Sequence, residues 1–316
     1  MSQRRVAFIG LWMRVAVIAM GSGCLTGEPV TRELPREYVP AEIQPALGES
    51  IVSRSNLDTR NRYVAALMVD GGQGTCGGVL VAPRVVLTAG HCVCAQREVR
   101  PGEADARTLI DKSTCVRTAI VKVVTYRPEG EPDREDFTGT VNPHEQLRIL
   151  YNDEGKEVSS SADLAVIALS RSPTGVKPIR LAIEQIRYTQ SVSLVGYGSD
   201  GLKTGSKKGE RRVGFNEVAS IAENGATFLI GKPIQIRRPY KPKELLLVRE
   251  DASYSLMGDS GGPCLRERGG VMELVGIAKT HYGGQELVQF SEYTSTYFYL
   301  EWLRREIAKA GRRDTD

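Results

Sequence analysis

No apolar run in this sequence reaches the roughly 20 residues that a bilayer-spanning helix needs. Strong charge of one sign is missing too. Basic residues number 42 against 38 acidic ones, a net +4, too mild to argue for nucleic acid as a partner. Residues 1–50 hold five Arg and five Glu, so the excess belongs to the remainder. Aromatics are sparse at 6%, yet 41% hydrophobic and 25% charged residues are ordinary for a globular chain. That composition excludes disorder and collagen-like repeats. Turn chemistry is plentiful, with 33 Gly and 15 Pro among 316 residues. Length alone allows one large domain or two small ones, and all-β barrels of this size often form one unit.

Arg4 and Arg5 precede an apolar stretch, Val6 to Met20, broken only by Arg14 and followed by Gly21, Ser22, Gly23 and Cys24. A basic head, a short apolar body and a small-residue exit mark residues 1–24 as an export signal. Gly21-Ser22-Gly23-Cys24 also resembles a bacterial lipoprotein processing site, with Gly21 where Leu is usual. Lipidation of Cys24, which tethers a chain to the cell envelope without spanning it, and plain cleavage with release both stay open. Residues 25–50 are rich in Pro and Glu without periodicity and read as a propeptide or linker.

Five further cysteines stand at 76, 92, 94, 115 and 264, an odd number in a chain bound for an oxidising compartment. Cys76 and Cys92 flank a strand–turn–strand stretch and read as a pair. Cys94 and Cys115 then bracket a loop, and Cys264 is left as a buried thiol. The rival reading is a metal site using His91, Cys92 and Cys94. His-Cys-x-Cys does not match the usual zinc-ligand spacing, so no metal is expected.

From Ile51 onward short β-type runs recur between turn residues. They are Tyr63–Val69, Gly78–Ala82, Val85–Thr88, Ala119–Thr125, Leu164–Leu169, Ser191–Val195, Thr227–Ile230, Leu245–Val248, Met272–Ala278 and Leu287–Phe290. This cadence predicts an all-β sandwich or barrel, not alternating βαβ units. Residues 95–118 and 127–160 read as long irregular insertions. Leu300, Leu303 and Ile307 at helical spacing predict one helix over about 298–310, with Gly311 as its stop. Two basic clusters read as solvated loops. One is Lys203, Lys207, Lys208, Arg211 and Arg212; the other is Arg237, Arg238, Lys241 and Lys243.

Three short stretches carry chemistry: Thr88-Ala89-Gly90-His91-Cys92, Ala162-Asp163-Leu164-Ala165-Val166 and Gly258-Asp259-Ser260-Gly261-Gly262-Pro263. Singly, each has a bland explanation as a structural histidine, a turn aspartate or a glycine loop. Together they supply a nucleophile, a base and an orienting acid. A serine hydroxyl is a weak nucleophile at neutral pH and needs an imidazole to take its proton. A buried carboxylate must fix the imidazole tautomer and stabilise the cation that forms. The oxyanion then needs backbone N–H donors, worth about 2.7–4 kcal/mol each.

Gly258-Asp259-Ser260-Gly261-Gly262 also satisfies the G-x-S-x-G pattern of α/β-hydrolases, which would make the chain an esterase-type acyl hydrolase. Chain order separates the two. Those enzymes run serine, acid, histidine, whereas here the order is His91, Asp163, Ser260, and only His281 follows the serine.

These motifs resemble those of the trypsin/chymotrypsin family of serine endopeptidases, and the exported, bacterial-type members in particular. The similarity runs from about Ile51 to Ile307. Gly90 stands where Ala is commoner in the histidine motif, and Gly258–Pro263 is identical to the serine motif. Cys76-Gly77-Gly78 is similar to the segment whose cysteine bridges to the one after the histidine. Gly196-Tyr197-Gly198 matches the Gly-aromatic-Gly of the second barrel. The resemblance implies two six-stranded antiparallel β-barrels and a C-terminal α-helix, with the first barrel over about 51–175 and the second over about 176–297. It implies His91 and Asp163 on the first barrel, Ser260 on the second, and an oxyanion hole made by the N–H groups of Gly258 and Ser260. It also implies protein or peptide substrates and no organic cofactor. A catalytically silent homologue that binds proteins through the cleft is the alternative of another class.

The family's activation mode implies that an activating protease frees Ile51, whose ammonium then pairs with Asp259. Ser50 before the cut makes that cleavage non-tryptic. Trypsin-like members carry Asp six residues before the serine, and Tyr254 stands there; a preference for Arg or Lys is not supported. Asp251 is three residues further back, and Leu256 replaces the cysteine of the pocket disulfide. His281-Tyr282-Gly283-Gly284 is similar, in a shifted register, to the stretch with which glutamyl endopeptidases of this fold bind an acidic side chain.

Overall fold

The computed structural model describes residues 56–198, 209–231, 253–255, 258–282 and 290–312, all within one unit, Pro45–Asp316. Segments 1–24 and 25–50, Cys24, Ile51, Leu245–Val248 and most of both basic clusters lie outside the described residues.

In chain order the strands are β1 (Asn56–Leu57), β2 (Ala66–Asp70), β3 (Thr75–Ala82), β4 (Val85–Thr88), β5 (Arg97–Glu98), β6 (Thr108–Asp111), β7 (Thr118–Thr125), β8 (Asp133–Pro143) and β9 (Arg148–Tyr151). They continue as β10 (Glu157–Ser161), β11 (Ala165–Leu169), β12 (Arg180–Leu181), β13 (Ser191–Gly196), β14 (Arg212–Ile221), β15 (Thr227–Gly231), β16 (Pro263–Arg268), β17 (Val271–Tyr282) and β18 (Phe290–Ser295), followed by helix α1 (Leu300–Arg312). The first barrel closes in the order β11-β4-β3-β2-β7-β8, with β8 returning to β11. The second closes as β14-β13-β16-β17-β18-β15, with β15 returning to β14. Both rings are six-stranded and antiparallel, the architecture expected above.

Burial follows the two-residue period of a strand. In β7, Ala119, Val121 and Val123 are buried while Thr118 and Ile120 are exposed. In β8, Phe137 and Val141 point inward between exposed Asp136, Thr138 and Thr140. The first core gathers Leu67, Val79, Leu80, Leu87, Val121 and Ile167. The second gathers Leu194, Val218, Phe228, Ile230, Val275 and Tyr293, with the rings of Phe228 and Tyr293 stacked at 5.5 Å. Each such fully buried side chain contributes about 1.5–3 kcal/mol.

Three expectations are corrected. Residues 95–118 and 127–160 are not irregular insertions: β8 is a full barrel strand, and β9 and β10 join β6 and β5 in a separate four-stranded sheet. The charged start of β8, Asp133-Arg134-Glu135-Asp136, is solvent-exposed and masks its alternation in the sequence. Arg211, read as part of a solvated loop, is fully buried. Its Nε donates to Asp58 at 2.8 Å, Nη1 to the Val124 carbonyl at 2.6 Å and Nη2 to Asn61 at 2.9 Å. Helix α1 starts two residues later than expected and runs through Gly311. It buries Leu300, Trp302 and Leu303.

Candidate active site

Strand pairing alone brings the first two motif residues together. Strands β4 and β11 are antiparallel neighbours with Ala165 opposite Thr88. The residues that follow β4 therefore lie beside those that precede β11. His91 sits in a short 3-10 turn, Gly90–Cys92, and Asp163 in the approach to β11. The Asp163 carboxylate, 2% exposed, accepts from the His91 backbone N–H at 2.9 Å and lies 2.7 Å from Nδ1 of the same residue. One carboxylate thus holds both the backbone and the ring, so Nδ1 carries the proton and the other ring nitrogen is left basic. A Cβ on Gly90 would stand 2.7 Å from a methyl of buried Leu147 and 3.1 Å from Asp163 Oδ1. That packing accounts for glycine in this position.

The approach to Asp163 is pinned from the far end of the chain. Ala162 adopts φ 47°, a left-handed conformation unusual for a residue with a Cβ. Its N–H donates to Tyr299 Oη at 3.0 Å. No local signal in the sequence links residues 137 positions apart, and Tyr299 was not among the expected site residues.

The serine turn reaches the same place from the second barrel. The Ser260 carbonyl accepts from Gly77 N–H at 2.6 Å, and the Gly77 carbonyl accepts from the Thr88 hydroxyl at 2.7 Å. Thr88 is three residues before His91. Gly261 has φ +79°, and a Cβ there would collide with the Gly77 carbonyl and the Thr88 hydroxyl. Glycine at 261 is what allows this backbone-on-backbone approach. Across the turn, Gly261 N–H donates to the Ala278 carbonyl at 2.7 Å and Ala278 N–H to the Gly262 carbonyl at 2.9 Å. Gly258 is also left-handed, with φ +94°.

The electrostatics fit a base and its orienter. Burial pushes the His91 imidazole down, but the charge and hydrogen bond of Asp163 outweigh it and the net shift is upward. Burial pushes Asp163 up, and the opposing pull of His91 leaves it below the usual carboxylate range.

A family model described as Trypsin matches residues 51–303. The chain belongs to the trypsin family. Among curated relatives, this trypsin-family chain is 26% identical over 298 residues to vitamin K-dependent protein C of Rattus norvegicus, covering 90% of this chain and 56% of the relative. It is 27% identical over 249 residues to phenoloxidase-activating enzyme 1 of Spodoptera litura, covering 74% and 59%. Human cathepsin G is 24% identical over 268 residues, covering 81% and 87%. The chain spans about half the length of the first relatives it matches, 56%, 47% and 59%.

The remaining site residues are placed as follows. Cys76 is bonded to Cys92 and Cys94 to Cys115, while Cys264 is a buried free thiol whose titration burial pushes up. Cys76, His91 and Cys92 cluster closely enough for a metal, but both thiols are consumed in the disulfide. Cys94 is likewise bonded, so the donor set of the rival metal reading does not exist. Asp259 is 1% exposed and accepts from Gly198 N–H at 2.9 Å; its expected partner Ile51 is outside the described residues. Tyr254 is buried. Beside it Ser255 N–H donates to Ser291 Oγ at 2.8 Å, and Ser291 Oγ donates back to the Ser255 carbonyl at 2.9 Å. His281 lies on β17 opposite Ser291; its side chain, like Asp251 and Leu256, is outside the described residues.

Proposed function

We propose that this chain is an exported serine endopeptidase, made as a precursor, that hydrolyses peptide bonds through an acyl-enzyme. Ser260 Oγ attacks the scissile carbonyl carbon while the free His91 nitrogen takes the hydroxyl proton. The carbonyl becomes an oxyanion facing the N–H groups of Gly258 and Ser260. His91 returns the proton to the leaving amine, the C–N bond breaks, and Ser260 is left as an ester. Water then attacks that ester, gives its proton through His91, and restores the hydroxyl as the acid leaves. The observation that carries this reading is the two-point hold of Asp163 on His91 within a trypsin-family chain whose serine turn is hydrogen-bonded beside that histidine's strand.

Residues 1–24 act in this reading as the export signal, and residues 25–50 as the propeptide removed when Ile51 is freed. Two disulfides support maturation in an oxidising compartment. Family membership supports protein or peptide substrates. Tyr254 in place of an acid argues against a basic residue before the cut, and a peptide-library profile of the purified protein reads the preference directly.

A fluorophosphonate probe tests the mechanism. It labels Ser260, and His91→Ala suppresses labelling, with turnover lost on the order of 10⁶-fold as in a comparable triad. Absence of any adduct overturns the assignment in favour of a silent, protein-binding homologue; an adduct on another residue overturns Ser260 as nucleophile, and labelling indifferent to His91 overturns His91 as its base. Sequencing of active material tests activation: it starts at Ile51. The freed amine, ordinarily near pKa 7.7–8.0, is raised by pairing with Asp259, so the pair persists at low pH and is lost as pH climbs through the raised value.

A further inference from the structure

A buried lysine sits beside the serine turn. Lys279 is 6% exposed and lies on β17, one residue beyond Ala278, whose backbone is hydrogen-bonded to both Gly261 and Gly262 of the serine turn. Its Nζ is 2.8 Å from Glu292 on β18, within the second barrel, and 2.6 Å from Glu157 on β10. Glu157 comes from outside the second barrel. Strand β10 belongs to the four-stranded sheet inserted in the first barrel's sequence, and it ends at Ser161, two residues before Asp163. One ammonium is therefore clamped between a carboxylate of the second barrel and one of the inserted sheet, at the strand hydrogen-bonded to the serine turn and the segment that leads to the aspartate.

We propose that Lys279 and Glu157 are positioning residues of the active site, an ion pair between the second barrel and the inserted four-stranded sheet that ties the Asp163 segment to the serine turn and sets the charge around His91. The proposal rests on the serine-peptidase reading for its catalytic consequence, but its geometry does not. A buried ion pair is a costly device, and replacing one with apolar groups is often neutral for stability. Stability alone therefore does not account for an acid–lysine–acid cluster here. Among the described residues, the site would otherwise hold only carboxylate charge beside the imidazole, and Lys279 offsets part of it. Glu157 raises the His91 titration and Lys279 lowers it, while Lys279 also holds Asp163 down. Among the described residues, the charged and titratable groups around the cluster are His91, Asp163, Glu292, Tyr151 and Tyr299, and none of them is altered in the variants below.

The test is an NMR titration of the His91 imidazole, which needs no turnover, in the parent chain, Glu157→Gln and Lys279→Gln. The chain has three histidines, so assignment is tractable. The pKa of His91 moves down in Glu157→Gln and up in Lys279→Gln, and the acid limb of kcat/KM follows each shift. Glu157→Asp stays nearer the parent than Glu157→Gln does. An unchanged titration in Glu157→Gln, or shifts of the same sign in both variants, overturns the proposal. If Lys279→Gln does not fold, Glu157→Gln carries the test alone. Failure of the serine-peptidase reading shows separately, as absent fluorophosphonate labelling with the NMR shifts intact.

Discussion

Arg211 and Tyr299 show how single side chains pin distant backbone segments without touching the site's chemistry. Arg211 spends its guanidinium on Asp58, Asn61, Tyr197 and the Val124 carbonyl. Removing one member of such a buried pair strands a charge and costs about 3–5 kcal/mol, so Arg211→Met should lower the free energy of unfolding, read from chemical denaturation, by that much. A change under about 0.5 kcal/mol, the size of an ordinary surface substitution, would mean the residue is solvated after all. Tyr299→Phe removes the acceptor of the Ala162 N–H and should cost about 1–3 kcal/mol for the stranded donor. Because the loss falls beside Asp163, kcat should drop with KM held. The Asp163–His91 pair makes its own prediction. His91 must be neutral to accept a proton, so kcat/KM rises as pH climbs through a His91 value above the ordinary 6.5. Asp163→Asn removes the charge that raises it, so the limb moves to lower pH, with turnover reduced about 10⁴-fold as in a comparable triad. A pH profile of the variant checks both the sign and the loss.

Short strands and turns decide which of these residues meet, and they were unequally legible. Val85–Thr88 reads as a strand from a short, mostly β-branched run, and the structure has the same limits. The pairing of β4 with β11 follows once a barrel is assumed, and with it the neighbourhood of His91 and Asp163. Strands β8, β14 and β16 were not legible. The first opens with four charged residues. The second opens with Arg212 and interrupts its apolar face with Asn216 and Glu217. The third is short, starts at the proline of the serine motif and ends in charges. In each, neighbouring strands supply the pairing that local pattern does not announce. The Lys279–Glu157 bridge is hidden for the same reason, since 122 residues separate its ends. Helix α1 was legible because its apolar stripe is local. Leu303 is fully buried, and Leu303→Ala should cost about 2–5 kcal/mol, read from denaturant unfolding at unchanged slope.

Both disulfides lie in the first barrel's half of the chain, between Cys76 and Cys115, while the second barrel carries only the reduced Cys264. One expectation from that asymmetry is a stapled half and an unstapled half that unfold separately. The packing argues otherwise. Val195, Val213, Leu265, Leu274 and Ile277 come from second-barrel strands, yet they belong to the same contiguous buried cluster as Val79, Leu80 and Leu87 of the first. Helix α1 follows the last strand of the second barrel, and its Trp302 and Leu303 enter that cluster as well. Tyr197, the residue after β13, donates to the Ala66 carbonyl at 2.7 Å, which adds a buried hydrogen bond across the boundary. With apolar surface shared this way, opening one barrel exposes part of the other, and the stabilisation of the staples is distributed to both. Replacing Cys94 and Cys115 together by Ala should therefore cost about 2–5 kcal/mol in a single unfolding transition. Hydrogen exchange should show protection falling in parallel at Leu80 and at Leu194. Loss confined to Leu80, with Leu194 still at its parent level, would mean that the barrels unfold as independent units and that the shared cluster does not couple them.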